Sequence, residues 1–152
     1  MNFKFSILIP CYNEVRTVFN VVTNICNTFP DALVVVVDDG STDGSYNELL
    51  KIGAQNLKLI KLDENRGKGF ALRTGLKYLE NKSEIVIFSD ADEEILVEDL
   101  IKVSRMYEDS DIEIVFGSRF LEMNNIKKFQ MGIHRYLANL LLTSFANFIF
   151  KQ

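Results

Sequence analysis

The chain has 152 residues, of which 47% are hydrophobic and 25% are charged, and its formal net charge is −4. This length suits a single domain, and the composition is that of an ordinary globular protein, which argues against disorder. An acidic chain lacks the basic surface that binds a phosphate backbone, so we expect no nucleic-acid partner. A nucleotide, in contrast, needs only a few local cations or one metal ion.

Short apolar runs alternate along the chain with helical patterns. In chain order, strands are predicted over residues 5–9, 33–37, 57–62, 84–89 and 112–117. Helices are predicted over residues 15–29, from a cap at Thr42 or Asp43 to about residue 52, over 69–79 and over 97–107. Pro10 is expected to end the first strand. The alternation is typical of βαβ units, and the continuous apolar strands indicate a parallel sheet buried on both faces.

A polar cluster follows each predicted strand. The clusters occupy residues 10–14, 38–41, 63–68, 90–92 and 118–119. The carboxyl ends of parallel strands meet at one edge of the sheet, and open α/β sheets bind their ligands there. The sequence therefore predicts that five clusters, far apart along the chain, converge on one crevice.

Asp90, Ala91 and Asp92 come directly after the fourth apolar run. Carboxylates are hard oxygen ligands that suit Mg²⁺ or Mn²⁺, and these ions bind proteins through one or two carboxylates plus substrate phosphates. Two aspartates separated by one residue can face the same side of an extended turn. The alternative is a solvated turn or a helix cap, and the position at a strand end favours the metal site.

Asp38 and Asp39 stand at the end of the second apolar run, before Gly40. Turn chemistry and helix capping account for Gly40 and for Thr42 or Asp43, but not for two adjacent carboxylates after a buried strand. A carboxylate at this place can accept hydrogen bonds from a base N–H or a ribose hydroxyl, which indicates a nucleotide ligand.

Residues 65–69, Asn-Arg-Gly-Lys-Gly, have the composition of a phosphate loop. They lack the spacing of a P-loop NTPase and of the dinucleotide fingerprint, which disfavours both classes. Arg66 and Lys68 can reach a diphosphate or a base, and a solvated cationic turn is the alternative. His134 is the single histidine of the chain, and we interpret it as a surface or packing residue.

Cys11 and Cys26 have neither CxxC spacing nor the spacing of a metal site. They are therefore expected to be buried or half-buried thiols in a reducing compartment. Residues 1–10 lack the long apolar run and the cleavage site of a signal peptide. Both features predict a cytoplasmic protein.

Five ordered stretches resemble the family 2 glycosyltransferases of the GT-A fold, which implies a Rossmann-like three-layer sandwich with a mostly parallel central sheet. These stretches are residues 6–14, 37–44, 65–69, 89–92 and 116–120. The resemblance covers essentially the whole chain. Residues 117–121 and 135–147 are most similar to the polyprenyl-phosphate (dolichyl-phosphate) mannose or glucose synthases.

The resemblance implies a role for each matching residue. The nucleotide would lie against Pro10, Tyr12 and Glu14, with Asp39 and Asp38 at the base or ribose and Lys68 at the base or diphosphate. The catalytic set would comprise Asp90 and Asp92, which hold Mg²⁺ or Mn²⁺ and the diphosphate on either side of Ala91, and Arg119 and Arg135, which bind phosphate near a lipid acceptor. Glu94 stands where related synthases often carry Gln, and it could be an additional metal ligand.

The expected reaction moves a sugar, with inversion, from a donor of the GDP-mannose or UDP-glucose type to polyprenyl phosphate. An acceptor phosphate is already anionic at neutral pH, so this displacement needs no general base, whereas a sugar hydroxyl as the acceptor would need one. Two alternatives stay open, namely a nucleotidyltransferase and a truncated module that binds a nucleotide sugar without transferring it. A nucleotidyltransferase would usually have a glycine-rich loop after its first strand, and residues 10–14 lack one.

The domain is predicted to comprise residues 1–130, with an apolar C-terminal helix of the same domain over 131–152. Relatives continue past this point with an acceptor-side segment, whereas this chain stops at Lys151-Gln152, so donor binding with poor transfer is expected. Its uncharged part, residues 136–150, is preceded by Lys127, Lys128 and Arg135. This helix would pack on the sheet, contact the inner face of a membrane, or mediate homo-oligomers.

Overall fold

The computed structural model describes residues 3–106, in which strands and helices alternate. In order they are β1 (Phe3–Cys11), α1 (Val18–Thr28), β2 (Leu33–Asp38), α2 (Ser45–Leu50), β3 (Leu57–Lys61), α3 (Lys68–Leu79), β4 (Ser83–Phe88) and α4 (Val97–Met106). The strands form a sheet in the order β3-β2-β1-β4, and every pair is parallel. The predicted α/β class with a parallel sheet is confirmed.

Three layers result from the alternation of side chains along β1 and β2. Ile7, Ile9, Val34 and Val36 face a buried cluster formed with α1, α2 and α4. Leu8, Val35 and Val37 face the opposite way and pack with Ala71 and Leu79 of α3. Gly75 lets α3 approach closely, because a Cβ at this position would collide with the Leu8 side chain.

The burial of the strands differs between the middle and the flanks of this sheet. All six residues of β2 are buried, as continuous apolar runs predict. The prediction of burial on both faces is wrong for β3 and β4, whose residues are half-buried or exposed except for the buried Ile87 of β4. The Phe88 side chain of β4, for example, is 51% exposed. Apolar sequence alone does not reveal which strands lie in the middle of a sheet.

Pro10 does not end β1, which continues to Cys11 in register with Asp38. The reason lies in the direction of its nitrogen. The Leu8 carbonyl accepts a hydrogen bond from Ser89 N on the β4 side, and alternate residues of a strand address alternate neighbours. Pro10 therefore also faces the β4 side, beyond the last β1–β4 pair, Leu8 with Phe88. A missing N–H disrupts no ladder there.

The start of α2 also differs from the prediction. Gly44, at φ 100°, is the N-cap residue and has no side chain that could cap the helix. Asp43, one residue before the N-cap, accepts a hydrogen bond at 2.9 Å from the backbone N–H of Ser45, the first helical residue, so its side chain still serves the start of the helix. The first helix is shorter than predicted, because residues 15–17 form a turn before α1.

Several predictions concern residues outside 3–106. They are the strand over residues 112–117, the domain boundary after residue 130, the apolar helix over 131–152, and the side chains of Arg119, Lys127, Lys128, His134 and Arg135. Within the described part of the chain, every helix is too short or too polar to cross a bilayer.

Candidate functional site

The carboxyl ends of the strands lie side by side, as predicted. Cys11 pairs with Asp38, and Asp38 pairs in turn with Lys61, so β1, β2 and β3 end level with one another. The last residue of β4, Phe88, pairs with Leu8 of β1. The segment after β4 therefore begins beside the last residues of β1. Four of the five predicted polar clusters consequently share this edge, and the fifth lies outside the described residues.

Asn13 joins the loop after β1 to the loop after β2 through two hydrogen bonds. Its backbone N–H donates to Ser41 Oγ at 3.0 Å, and its side-chain Oδ1 accepts from Thr42 N at 2.9 Å. Asn13 has a φ of 57°, a left-handed conformation that asparagine tolerates better than most residues. The sequence prediction did not single out Asn13, although its type suits this geometry.

Ser45 and Asp43 make a second connection between the same loops. Glu14 N donates to the buried Ser45 Oγ at 2.8 Å, and Val15 N donates to Asp43 Oδ2 at 3.0 Å. Ser45 Oγ donates in turn to Asp43 Oδ1. Burial opposes ionisation of Asp43, but hydrogen bonds from Ser45 and Val15 outweigh it and lower the pKa of this carboxyl. The negative charge of Asp43 is thus part of the scaffold.

Asp39 holds the loop that precedes α3. Its side chain is only 2% exposed, and its two oxygens accept hydrogen bonds from Arg66 N at 3.0 Å and from Gly67 N at 2.7 Å. Sequence reasoning assigned this carboxylate to a base or ribose and did not foresee its bonds to the loop. Each carboxylate oxygen has two lone pairs, so these bonds leave acceptor capacity for a ligand.

Gly40 brings the same two loops into direct contact. It has a φ of 70°, and a Cβ at this position would lie 2.5 Å from the Glu64 carbonyl carbon and 2.6 Å from Asn65 N. Only glycine permits both the backbone conformation and the close approach. The glycine that turn chemistry predicted therefore also sets the spacing between the loops after β2 and β3.

Asp38 is fully buried beneath this surface. Its Oδ2 accepts a hydrogen bond from Ser41 N at 3.3 Å, and its Oδ1 has no hydrogen-bond partner among the described residues. Burial, together with the negative charges of Asp38, Glu14 and Asp43, raises the pKa of the Cys11 thiol to about 12. Cys11 is therefore an unreactive thiol at neutral pH, which matches its predicted role as a buried cysteine.

Asp90 and Asp92 follow β4 and are partly accessible to solvent. Asp90 Oδ1 lies 2.5 Å from Lys68 Nζ, so the predicted acidic and cationic clusters meet directly. Asp92 Oδ1 accepts a hydrogen bond from Glu94 N at 3.2 Å. Two accessible carboxylates fit the donor set of Mg²⁺ or Mn²⁺, which complete their coordination with water and phosphate.

Glu94, the additional ligand suggested by the resemblance, is exposed. Among residues 3–106, no group of three or more histidine, cysteine, aspartate or glutamate side chains is arranged to hold a metal ion. The assignment of Asp90 and Asp92 as metal ligands therefore stays a prediction.

Thr17 is a residue that the sequence prediction missed. Its hydroxyl donates to the Ala91 carbonyl at 2.9 Å and lies 3.4 Å from both Glu14 O and Glu14 Oε2. Ala91, between the two aspartates, is 3% exposed. The bond from Thr17 thereby fixes the Ala91–Asp92 peptide, which lies between the two carboxylate side chains. A threonine before a helix is a common capping residue, so its type gave no sign of this role.

The remaining predicted residues lie around the same edge. Pro10 is partly buried in β1, while the Tyr12 ring is 43% exposed and can offer a face to a planar ligand. Arg66 places its guanidinium 4.3 Å from the centre of the Phe70 ring. The arrangement therefore combines an exposed aromatic ring, a backbone loop held by Asp39, one ammonium group and two carboxylates.

Comparison with known proteins identifies similar sequences along most of the chain. A family model described as glycosyl transferase family 2 matches residues 6–151. The UDP-N-acetylglucosamine–dolichyl-phosphate N-acetylglucosaminyltransferase of Methanococcus voltae is 35% identical over 159 residues, which cover 94% of this chain and 61% of that protein. The dolichyl-phosphate beta-glucosyltransferase of Saccharomyces cerevisiae is 35% identical over 99 residues, 57% of this chain and 29% of that protein.

A solved structure extends the similarity to the fold. The mannosyltransferase PcManGT from Pyrobaculum calidifontis, in complex with GDP-Man and Mn²⁺, superposes with a TM-score of 0.61 and 27% sequence identity. The superposition covers 73% of this chain and 34% of the mannosyltransferase. This chain spans less than two thirds of the length of each of these three proteins.

Proposed function

Because the chain belongs to glycosyl transferase family 2, we propose that it transfers a sugar from a nucleoside-diphosphate sugar to the phosphate of a polyprenyl lipid, with inversion and with the help of Mg²⁺ or Mn²⁺. The predicted family and its GT-A fold are confirmed. Family membership removes the support for a nucleotidyltransferase.

The observation that carries the proposal is the meeting of charges at one sheet edge. The Asp90 carboxylate contacts the Lys68 ammonium, and Lys68 follows the loop that Asp39 holds. Carboxylates for a metal and a cation for a diphosphate are thus adjacent. The similar mannosyltransferase from Pyrobaculum calidifontis was solved with GDP-Man and Mn²⁺, which supports a donor and a metal of this kind.

On the donor side, Asp90 and Asp92 would hold the metal, and a divalent ion there would neutralise charge on the departing diphosphate. Lys68 would add a positive charge to the same group. Asp39 would keep the backbone of residues 66–67 in place beneath the nucleotide, and the exposed Tyr12 ring would lie against the base. Transfer would then depend on alignment of the acceptor with the sugar carbon.

On the acceptor side, the names of the relatives from Methanococcus voltae and Saccharomyces cerevisiae both include dolichyl phosphate. A phosphate monoester is anionic at neutral pH, so it needs cations for positioning rather than a base for activation. We assign this positioning to Arg119 and Arg135, which lie outside the described residues. Such an acceptor would bring the protein to a membrane surface.

Donor binding is tested by calorimetry, in which GDP-mannose, UDP-glucose and UDP-N-acetylglucosamine are each titrated into the protein with and without Mn²⁺. We expect one of them to bind more tightly with the metal, and Asp92→Asn to weaken that binding about tenfold or more, since a charged metal ligand is lost. Glu93→Gln is the matched control, because it removes the same charge from an exposed neighbouring residue.

Transfer is then measured with a short polyprenyl phosphate and the donor that binds. Any glycosyl phosphate that forms is expected to have inverted configuration at the sugar carbon, and Asp92→Asn should suppress its formation. Donor binding without product would leave only a nucleotide-sugar-binding module. Equal donor affinity with and without metal, in the wild type and in Asp92→Asn, would contradict the metal site.

A further inference from the structure

Lys68 contacts the carboxylate that we assign to the metal. Its Nζ lies 2.5 Å from Asp90 Oδ1, and the two side chains are 62% and 26% exposed, respectively. The ammonium thus pairs with one of the two carboxylates that we assign to the metal. The contact is made by the end of a long, accessible side chain, and such a contact can be exchanged at low cost.

The backbone of Lys68, in contrast, is fixed. Lys68 is the first residue of α3, and the preceding Gly67 donates its N–H to Asp39 Oδ2 at 2.7 Å. The ammonium can therefore move only within the reach of its own four-carbon chain. Any second position for it lies within that reach, at the same sheet edge.

A divalent cation on Asp90 and the Lys68 ammonium on the same carboxylate repel each other. Metal binding is therefore opposed by the ion pair as long as no anion separates the two cations. A diphosphate is such an anion, because its oxygens can bind the metal on one side and an ammonium on the other.

We propose that Lys68 is an exchangeable counter-ion of Asp90, which moves onto the diphosphate of the donor when the metal takes its place. This inference rests on the proposed function and adds a coupling to it. Without nucleotide, Lys68 competes with the metal. With nucleotide, Lys68 supports the metal–diphosphate complex. Metal and donor consequently bind together better than either binds alone.

Replacement of Lys68 by methionine should therefore have effects of opposite sign on two ligands. Mn²⁺ alone, followed by the electron paramagnetic resonance signal of the free ion, should bind Lys68→Met about five- to tenfold more tightly than the wild type, because the competing charge is gone. In titrations of GDP and of UDP at saturating Mn²⁺, one of the two nucleotides should bind Lys68→Met about tenfold more weakly than it binds the wild type, because a charged hydrogen bond is lost.

Lys61→Met is the control for a change in net charge. Lys61 ends β3 at the same sheet edge, is exposed, and lies over the Tyr46 ring at 4.7 Å. The Lys61→Met variant should change the affinity for Mn²⁺ much less than Lys68→Met does. Equal effects of the two variants, or weaker Mn²⁺ binding by Lys68→Met, would overturn the exchange.

Asp92→Asn in the same Mn²⁺ titration separates this inference from the proposed function. If Asp92→Asn loses Mn²⁺ while Lys68→Met behaves like Lys61→Met, the metal site stands and the exchange is wrong. If Asp92→Asn binds Mn²⁺ as the wild type does, the metal assignment in the proposed function is itself wrong, and the exchange falls with it.

Discussion

The two halves of the sheet edge are built by different means. At the ends of β1 and β2, short side chains hold backbone amides. Asn13 and Ser45 connect the two loops, and Asp39 accepts hydrogen bonds from two consecutive amides of the next loop. At the end of β4, one hydroxyl and one long cation make the contacts, through Thr17 to Ala91 and Lys68 to Asp90.

This difference has a thermodynamic meaning. Short side chains lose little conformational entropy when they are ordered, and a bond between a buried carboxylate and a backbone amide is costly to break. A lysine loses much more entropy, and a partly exposed ion pair contributes little to stability. The half that we assign to the nucleotide, here called the formed half, is therefore built in advance. The half that we assign to the metal, here called the adaptable half, contains an ion pair that can exchange partners.

The largest expected effect comes from Gly40→Ala, which adds a Cβ to the formed half where the loop after β2 contacts the loop after β3. The added Cβ would lie 2.5 Å from Glu64 C, and the φ of 70° is unfavourable for alanine. We expect the free energy of unfolding to fall by about 2–4 kcal/mol, measured by urea denaturation. Gly53→Ala is the control, since a Cβ there has no heavy atom within 4 Å.

Equal stability of the Gly40→Ala and Gly53→Ala variants would mean that the loop of residues 64–65 yields easily. The contrast between a formed half and an adaptable half would then be lost, because the first half would also adapt. The same experiment should show weaker donor binding by Gly40→Ala, as the displaced loop leads directly to Lys68.

Asp39→Asn should have the next largest effect. The asparagine side chain offers one acceptor oxygen, while its NH₂ group would face the N–H of Arg66 or Gly67, both of which now donate to the carboxylate. A loss of about 1–3 kcal/mol in the free energy of unfolding is expected. Asp31→Asn, at an exposed turn, should change it little. If both variants have the same free energy of unfolding, Asp39 does not hold the loop of residues 66–67.

Thr17→Val probes the adaptable half and should have a smaller effect. It preserves the shape of the side chain and removes the donor of the 2.9 Å bond to Ala91 O, which should lower the free energy of unfolding by about 0.5–1.5 kcal/mol. Because the peptide between the two aspartates is released, Mn²⁺ affinity should also fall, a few-fold. Thr17→Ser retains the hydroxyl and should recover that affinity. Failure of serine to do so would assign Thr17 to packing alone.

Much of the fold could be predicted because its determinants are local. Continuous apolar runs and helical spacing predicted the strands and helices within residues 3–106, and the parallel topology placed their polar ends together. The limits of the elements were less predictable. Whether Pro10 ends β1 depends on which neighbour its nitrogen faces, and this is a property of the sheet rather than of the residue.

The sequence predicted which residues belong to the site better than it predicted which partners those residues contact. Asp39 and Lys68 were predicted to serve a ligand, yet both also contact other parts of the protein, namely the loop of residues 66–67 and Asp90. Thr17 and Asn13 were not predicted, since their bonds join residues that are distant in the chain. Such pairings follow from the tertiary arrangement, which periodicity does not encode.

The smallest expected effect is a pH dependence of the formed half, which depends on Asp43. Hydrogen bonds from Ser45 and Val15 outweigh burial and hold the pKa of Asp43 below its ordinary value of 3.8. A lowered pKa in the folded state means that this carboxylate stabilises the fold at pH values above the ordinary pKa, and that the contribution disappears as the pH falls through the folded pKa. The difference in unfolding free energy between the wild type and Asp43→Asn should therefore be constant near neutral pH and shrink below about pH 4.

Urea denaturation between pH 7 and pH 3 measures this difference. Asp63→Asn, at an exposed position after β3, is the control for loss of a surface charge. A difference that does not change with pH would indicate that Asp43 connects the two loops through its shape alone. The ionised carboxylate would then have no part in forming this half of the edge.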